Sequence, residues 1–346
     1  MPINTGLVGF GISAKVFHAP FLDLNPHFRL TKVVERNRQD SKSVYPDVEV
    51  DRSMEELLKD ESIELVVITT PNETHFPYAK QALLAGKHVV LEKPFTNTTA
   101  EAEELINLAE NTGMILSVYQ NRRYVSDFLT IREVLQSKQL GEIHEFIARY
   151  DRYRAEARPA AWREAPLKGS GILYDLGPHL IDQALHLFGM PKSVTADIRL
   201  QRPHARVDDY FEIWLDYGFL KVSLHAGMLV REMGPRYMIH GTSGSFVKYG
   251  EDPQEAALRA GQKPEGELWG REPEEHYGII HTEKAGQIVR EVYPSLPGSY
   301  NEYYNNIYAS IRQGAPVRET AIDGYNTIRI IGMAIESHAA GKTIRL

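Results

Sequence analysis

The chain contains no cysteine in its 346 residues. That excludes disulfides, a thiolate nucleophile and thiolate-ligated metal sites, and it fits a cytoplasmic protein. A cationic surplus is also missing: 39 Lys and Arg stand against 46 Asp and Glu, a formal net charge of −7. Nucleic acid and anionic membranes are therefore not expected as partners. No apolar run is long enough to span a bilayer. No basic, apolar, small-residue leader is visible, because the first ten residues already read as a strand and its turn. There is no internal repeat and no low-complexity tract. What remains is an ordinary globular composition, long enough for two domains with a sizeable core.

The first third alternates short apolar runs with amphipathic segments. Strands are expected at Thr5–Val8, Leu30–Val34, Val48–Val50, Leu65–Thr69, His88–Leu91 and Ile115–Tyr119. Ser53-x-x-Glu56 and Thr98-x-x-Glu101 read as capping boxes, and Gly86 and Gly113 as helix stops. Pro20 should bend or shorten the first helix. Strands alternating with helices predict a parallel sheet covered on both faces. After about Asn121 the pattern changes. Helices are expected at Asp127–Ser137 and Pro178–Phe188, then strands at Ser193–Leu200, Tyr210–Tyr217, Lys221–Met228, Arg236–His240 and Ser245–Tyr249. Residues 250–275, polar and rich in Gly and Pro, read as a loop or excursion. Helices near Glu302–Gln313 and Ala321–Ala340 close the chain. The expected fold is an α/β Rossmann domain over 1–121, then an α+β domain over 122–346. The second domain carries a large, mostly antiparallel open sheet for substrate binding and oligomerisation. A cleft between two such domains is the default ligand site.

The motifs point to a nicotinamide dinucleotide. The run Leu7-Val8 leads into Gly9-Phe10-Gly11-Ile12-Ser13-Ala14, a glycine fingerprint after a strand. Gly9 would make the tight turn and Gly11 admit a pyrophosphate. Ala14 would let the helix pack close, and the helix N-terminus would face the phosphates. Glu35, ending the second strand, could accept hydrogen bonds from the adenosine ribose and so favours NAD. Arg36 and Arg38 beside it suit the 2′-phosphate of NADP. Thr70-Pro71-Asn72 should face the cofactor at the carboxyl edge of the sheet. His75 follows as either a ligand contact or a cap.

Two further clusters could carry chemistry. Glu92-Lys93-Pro94 ends the fifth strand, where Lys93 could polarise a carbonyl or relay a proton; alone it could equally be a surface lysine. Asp175-x-x-x-His179-x-x-Asp182 opens a helix. A histidine in the first turn is kept neutral by the dipole, as a general base must be. Asp175 or Asp182 could orient its ring; a buried structural histidine is the plain alternative. No metal site is expected. Tyr150, Asp151, Tyr153, Arg154 and Tyr237 carry donors and acceptors suited to a polyol, or are ordinary strand residues.

Taken in order, Gly9-x-Gly11-x-x-Ala14, Thr70-Pro71-Asn72 with His75, Ala85-Gly86-Lys87-His88-Val89, Glu92-Lys93-Pro94 and Asp175-x-x-x-His179-x-x-Asp182 resemble the Gfo/Idh/MocA oxidoreductases over essentially the whole chain. Phe17-His18-Ala19-Pro20, Gln120-Asn121-Arg122-Arg123 and Trp162-Arg163-Glu164 resemble the branch that holds NADP-dependent scyllo-inositol dehydrogenases. The resemblance implies Lys93, Asp175 and His179 as the catalytic set. It implies Trp162, Arg163 and Asn121 at the cofactor, with Asn121 also at the substrate, and a cis Lys93–Pro94 peptide. In that branch a small hydroxyl residue usually stands at the place of Glu35, so the resemblance leaves NAD against NADP open. The implied activity is hydride transfer between a CH–OH group of a polyol or sugar and NAD or NADP. A reductase of another carbonyl and a non-catalytic NAD(P)-binding sensor are the alternatives. A homodimer or homotetramer is expected, built on one face of the antiparallel sheet. Either Phe211, Ile213 and Leu215 or the opposite set Tyr210 and Trp214 would pack there.

Overall fold

The computed structural model describes residues 1–157 and 164–346. The chain divides into two compact units. The first comprises Met1–Asn121, Gln254–Trp269 and Ser299–Tyr325; the second comprises Arg122–Pro253, Gly270–Gly298 and Asn326–Leu346.

The first unit holds six strands: β1 (Ile3–Val8), β2 (Phe28–Val34), β3 (Glu49–Asp51), β4 (Leu65–Ile68), β5 (His88–Leu91) and β6 (Leu116–Val118). They pair in the order β3-β2-β1-β4-β5-β6, with every pair parallel. This is the doubly wound dinucleotide-binding arrangement, with the reversal of strand order between β1 and β4. All four side chains of β4, Leu-Val-Val-Ile, are fully buried. A parallel strand covered on both faces has that continuous apolar character. Thr98 and Glu101 make the reciprocal capping box of the helix Thr99–Thr112, which ends at Gly113 with φ +67°. The Ser53 box is only half made. Ser53 accepts from the Glu56 amide, but Glu56 takes the amide of Arg52 at 2.7 Å.

The first helix is broken where proline requires it. Ala14–His18 is a π-helical turn, and an α-helix follows over Ala19–Leu24 with Pro20 in its first turn. Proline has no N–H for the carbonyl four residues back. The chain instead closes a wider turn from the Ala19 N–H to the Ala14 carbonyl. Within 250–275, expected as a loop or excursion, the short helix Gln254–Arg259 forms. Its Gln254 amide oxygen accepts from the Tyr300 amide at 2.9 Å and from the Trp269 indole at 3.1 Å.

The second unit holds nine strands: β7 (Ile143–Arg149), β8 (Ser193–Arg199), β9 (Tyr210–Asp216), β10 (Lys221–Gly227), β11 (Tyr237–Gly241), β12 (Gly244–Lys248), β13 (Gly278–Lys284), β14 (Gln287–Tyr293) and β15 (Ile344–Arg345). They form one sheet in the order β14-β13-β12-β11-β7-β10-β9-β8-β15. All neighbours are antiparallel except β7 and β10. Along β9, Phe211, Ile213 and Leu215 are fully buried, whereas Tyr210, Glu212 and Trp214 point to the other, half-exposed face. Strands β7, β13, β14 and the two-residue β15 are additions to the sequence expectation. β7 runs Ile-His-Glu-Phe-Ile-Ala-Arg, and its paired polar residues hide the alternation. β14 is an edge strand with mostly exposed side chains, so it carries no buried face to detect.

Candidate active site

Gly9 follows β1 with φ +91°, the left-handed region that glycine adopts without cost. A Cβ there would sit 3.1 Å from Thr70 Cγ2 and 3.3 Å from Thr69 Oγ1. The left-handed φ and this tight approach together favour glycine. Gly11 faces open space: a Cβ added there would meet nothing within 4 Å. Phe10 packs edge-on against Tyr45, Ile12 is exposed and Ala14 fully buried. Open room before a glycine-rich turn at a helix start fits a dinucleotide pyrophosphate.

Glu35 directly follows β2, but its carboxylate turns inward. Oε1 accepts the Asp40 amide and Oε2 the Ser41 amide, both at 3.0 Å, and the Ser41 hydroxyl also donates to Oε2. Glu35 thus caps the short helix Asp40–Val44, with both oxygens engaged by protein donors. Arg52 braces the same loop, donating to the carbonyls of Glu35 at 2.9 Å and Arg38 at 2.7 Å. Arg36 and Arg38 remain exposed beside it.

At the carboxyl ends of β4 and β5, His75 is buried. Its Nδ1 lies 2.8 Å from the Pro94 carbonyl and its Nε2 3.0 Å from the Thr70 carbonyl. Burial holds its pKa below the ordinary histidine value, against the opposing pull of those carbonyls. The ring is a strut between two turns rather than an open ligand. Asn72 is also buried, its carbonyl accepting from Asn97 at 3.3 Å. The Lys93–Pro94 peptide is cis.

Glu92 is held by several partners at this edge. Its Oε1 accepts from the Ser13 hydroxyl and lies 3.1 Å from His18 Nε2; its Oε2 accepts the Lys93 amide at 3.0 Å. Burial would raise its pKa. The hydrogen bond and charge of His18, the charge of Lys93 and the Ser13 bond together overcome that and lower it to about 2. The fully buried His18 places Nδ1 2.6 Å from the Tyr304 hydroxyl and its ring centroid 4.1 Å from that of Tyr119. The sequence alone assigns no part to His18 or Tyr304. Pro20, two residues on, is the signal that the helix opens there.

In the second unit the short helix Ile172–Asp175 precedes the helix Gly177–Phe188, which carries Pro178 and His179 in its first turn. Asp175 lies 4.0 Å from Arg152 Nη1. Asp182 is gripped by Arg123 through Nε at 2.8 Å and Nη2 at 2.6 Å. Tyr150 is buried with its ring centroid 6.5 Å from that of His179. Arg236 stacks on Tyr150 at 3.4 Å, with Arg152 at 5.7 Å and Arg122 at 5.9 Å. Asp151 bonds Arg149 at 2.7 Å and pairs with His225 at 2.8 Å. Burial would raise its pKa, but these two partners bring it below the ordinary aspartate value. Tyr153 is partly exposed beneath Arg231 at 3.8 Å. Tyr237 is fully buried and gives its hydroxyl to Gln183 at 3.0 Å, which makes it a support for the helix of His179. Trp162 and Arg163 lie outside the described residues. Among the described residues no cluster of three His, Asp or Glu could hold a metal ion, and no helix is long and apolar enough to cross a membrane.

Residues 3–120 match the family described as "Oxidoreductase family, NAD-binding Rossmann fold", and residues 132–346 match its "C-terminal alpha/beta domain". The chain belongs to the Gfo/Idh/MocA oxidoreductase family. This Gfo/Idh/MocA protein is 46% identical over 344 residues to scyllo-inositol 2-dehydrogenase (NADP(+)) IolW of Bacillus subtilis, covering 99% of this chain and 96% of that one. It is 42% identical over 335 residues to the uncharacterized oxidoreductase YdgJ of Escherichia coli, covering 97% and 96%. The solved structure of yvaA from Bacillus subtilis superposes with a TM-score of 0.97 at 46% identity, covering 99% of this chain and 98% of that one. An NAD(P)-binding oxidoreductase with a Rossmann domain and a large, mostly antiparallel second sheet is the shared description.

Proposed function

We propose that this oxidoreductase is an NADP-linked dehydrogenase of a polyol or sugar, interconverting a CH–OH group and its ketone. The observation that carries the reading is Glu92. It ties the Ser13 hydroxyl of the glycine-rich turn and the Lys93 backbone into one set of hydrogen bonds, fixing a lysine beside a dinucleotide turn. When bound, the nicotinamide supplies the hydride acceptor or donor. Lys93 hydrogen-bonds the reacting oxygen and offsets its developing negative charge. A ring nitrogen of His179 takes the hydroxyl proton during oxidation and returns it during reduction. Asp175 stabilises the charged imidazole. Tyr150, Asp151 and Tyr153 supply polar groups suited to hydroxyl recognition, and the relative named for scyllo-inositol supports a cyclic polyol.

The cofactor reading rests on Glu35. Its carboxylate is engaged by Asp40 and Ser41, so neither ribose bonding nor repulsion of a 2′-phosphate is its evident task. Arg36 and Arg38, exposed at the same strand end, suit that phosphate. We assign assembly to the second sheet, whose half-exposed face makes a homodimer.

Initial rates on inositols and aldoses with each cofactor, for wild type, Lys93→Ala and His179→Ala, test the reading. Turnover lost in both variants with nucleotide binding retained supports it. Tight nucleotide binding without turnover on any polyol overturns the substrate assignment and points to a different carbonyl.

A further inference from the structure

Of the buried polar clusters in the first unit, one is not explained by nucleotide or substrate contact. Glu92 has an acceptor-only carboxylate, so the His18 Nε2 that faces it carries the proton. The Tyr304 hydroxyl at Nδ1 then fixes the ring in that orientation. His18 has no accessible surface and cannot touch a ligand. It reaches Glu92 from the last position of the π-helical turn Ala14–His18, and π-turns inside helices recur at functional sites. An apolar side chain would fill that volume more cheaply than a buried imidazole and carboxylate.

We propose that His18 is a positioning residue for the reaction. Its imidazole keeps the Glu92 carboxylate anionic and aimed, and Glu92 in turn holds the glycine-rich turn and Lys93 in register. The inference rests on the dehydrogenase reading for the role of Lys93. The chain of contacts is Tyr304 to His18, His18 to Glu92, and Glu92 to both Ser13 and the Lys93 amide. The charged or titratable groups around this carboxylate are His18 from the π-turn, Lys93 beside it and His75 from the helix His75–Leu84; Tyr304 and Tyr119 face the imidazole. With His18 in place Glu92 is ionised across the working range. Without it, burial dominates and the carboxylate takes up a proton as the medium is acidified. A neutral Glu92 no longer offers Ser13 and Lys93 the same charged acceptor, so nucleotide affinity and turnover both fall on the acid side.

The test is a pH series from about 8 to 5 with two readouts: NADPH affinity by nucleotide fluorescence, and kcat/KM. Variants are His18→Gln, Tyr304→Phe, Glu92→Gln and the His18→Gln/Glu92→Gln double. The glutamine at 18 keeps an N–H donor but not the imidazole. Wild type sets the baseline, with the limb of the His179 base in kcat/KM and that of the nucleotide 2′-phosphate in affinity, and each variant is read as its ratio to wild type at the same pH. His18→Gln should gain an acid limb of about tenfold or more, the change that one unit of carboxylate titration allows. Tyr304→Phe should show a smaller limb, and carries the test by itself if His18→Gln does not fold. The limb should vanish in the double variant, because the titrating group has gone. Superimposable pH profiles for wild type, His18→Gln and Tyr304→Phe, or a limb that persists in the double, would overturn the proposal. If no polyol is turned over, the dehydrogenase reading fails while the affinity series still decides the part of His18.

Discussion

Arg123 and Asp182 form a buried fork, Nε to Oδ2 at 2.8 Å and Nη2 to Oδ1 at 2.6 Å. The pair lies one helical turn beyond His179, and Gln183 beside it donates to the Arg122 carbonyl at 2.9 Å. Together these bonds fasten the helix Gly177–Phe188 to the segment that opens the second unit. Both side chains are almost wholly buried. Removing one partner of a buried ion pair costs about 3–5 kcal/mol. Asp182→Ala should therefore lower the urea midpoint by that equivalent, and Arg123→Met/Asp182→Leu should regain much of it. A loss in Asp182→Ala near the ~0–1 kcal/mol of an exposed pair would show that the fork is not structural.

Asp208 supplies a pH dependence of stability. Its Oδ2 accepts the Leu173 amide at 2.6 Å, at the start of the helix that ends in Asp175. Gly171, with φ +93°, is glycine because a Cβ would stand 2.1 Å from Asp208 Oδ1. Burial raises the Asp208 pKa from 3.8 to about 6, with amide hydrogen bonds opposing and Asp209 adding to the rise. The folded pKa lies above the unfolded one, so the folded chain binds the extra proton. This group's contribution is therefore greatest below the unfolded value and is lost as pH rises through about 6. Asp208→Asn keeps an oxygen for the Leu173 amide and abolishes the titration. Its stability relative to wild type should increase between those two pKa values, by on the order of 3 kcal/mol in all. Parallel stability curves for the two proteins, measured by denaturant midpoints across that range, would contradict this assignment.

The proposed NADP preference rests on the loop after β2. Arg36→Ala and Arg38→Ala together should weaken NADPH binding by about tenfold or more, the equivalent of roughly 1.5–3 kcal/mol for hydrogen bonds to a charged group, and leave NADH nearly unchanged. Glu35→Ala should not convert the enzyme to either cofactor. It should instead loosen Asp40–Val44 and weaken both nucleotides, because its bonds are to Asp40 and Ser41. Fluorescence titrations with the two reduced nucleotides separate these outcomes; an NADH-selective loss in Glu35→Ala would restore the ribose role.

The glycine fingerprint, the buried strand β4 and the Thr98 box are legible in the sequence because each is a local pattern with a local cause. Glu35 is legible in its place, directly after β2, yet its partners are amides five and six residues on. Spacing alone does not distinguish a cap from a ribose ligand. His18 stands in a recognisable string without a visible task, because Glu92 is 74 residues away and Tyr304 286. β14 escapes notice for a different reason. An edge strand that buries little has no apolar period to read.

The half-exposed face of the second sheet carries one apolar row flanked by charge. The registers place Trp214, Ser223, Ile147, Met238, Val247, Ile279 and Val292 side by side from β9 to β14. On the same face, the next row along pairs Lys221 with Glu145, Glu145 with His240 and His281 with Arg290. An apolar stripe with a polar rim is the anatomy of a protein interface. A second copy laid on this face presents the same stripe to itself, as a twofold contact must. Ile147→Glu/Met238→Lys places charge in the middle of the stripe and leaves the buried side of the sheet, Phe146, Ala148, Tyr237 and Ile239, intact. Sedimentation at micromolar concentration should show wild type as a dimer or a multiple of it, and the double variant as a folded monomer. A wild type that sediments as a monomer, or a double variant that stays assembled, would remove this face from the interface.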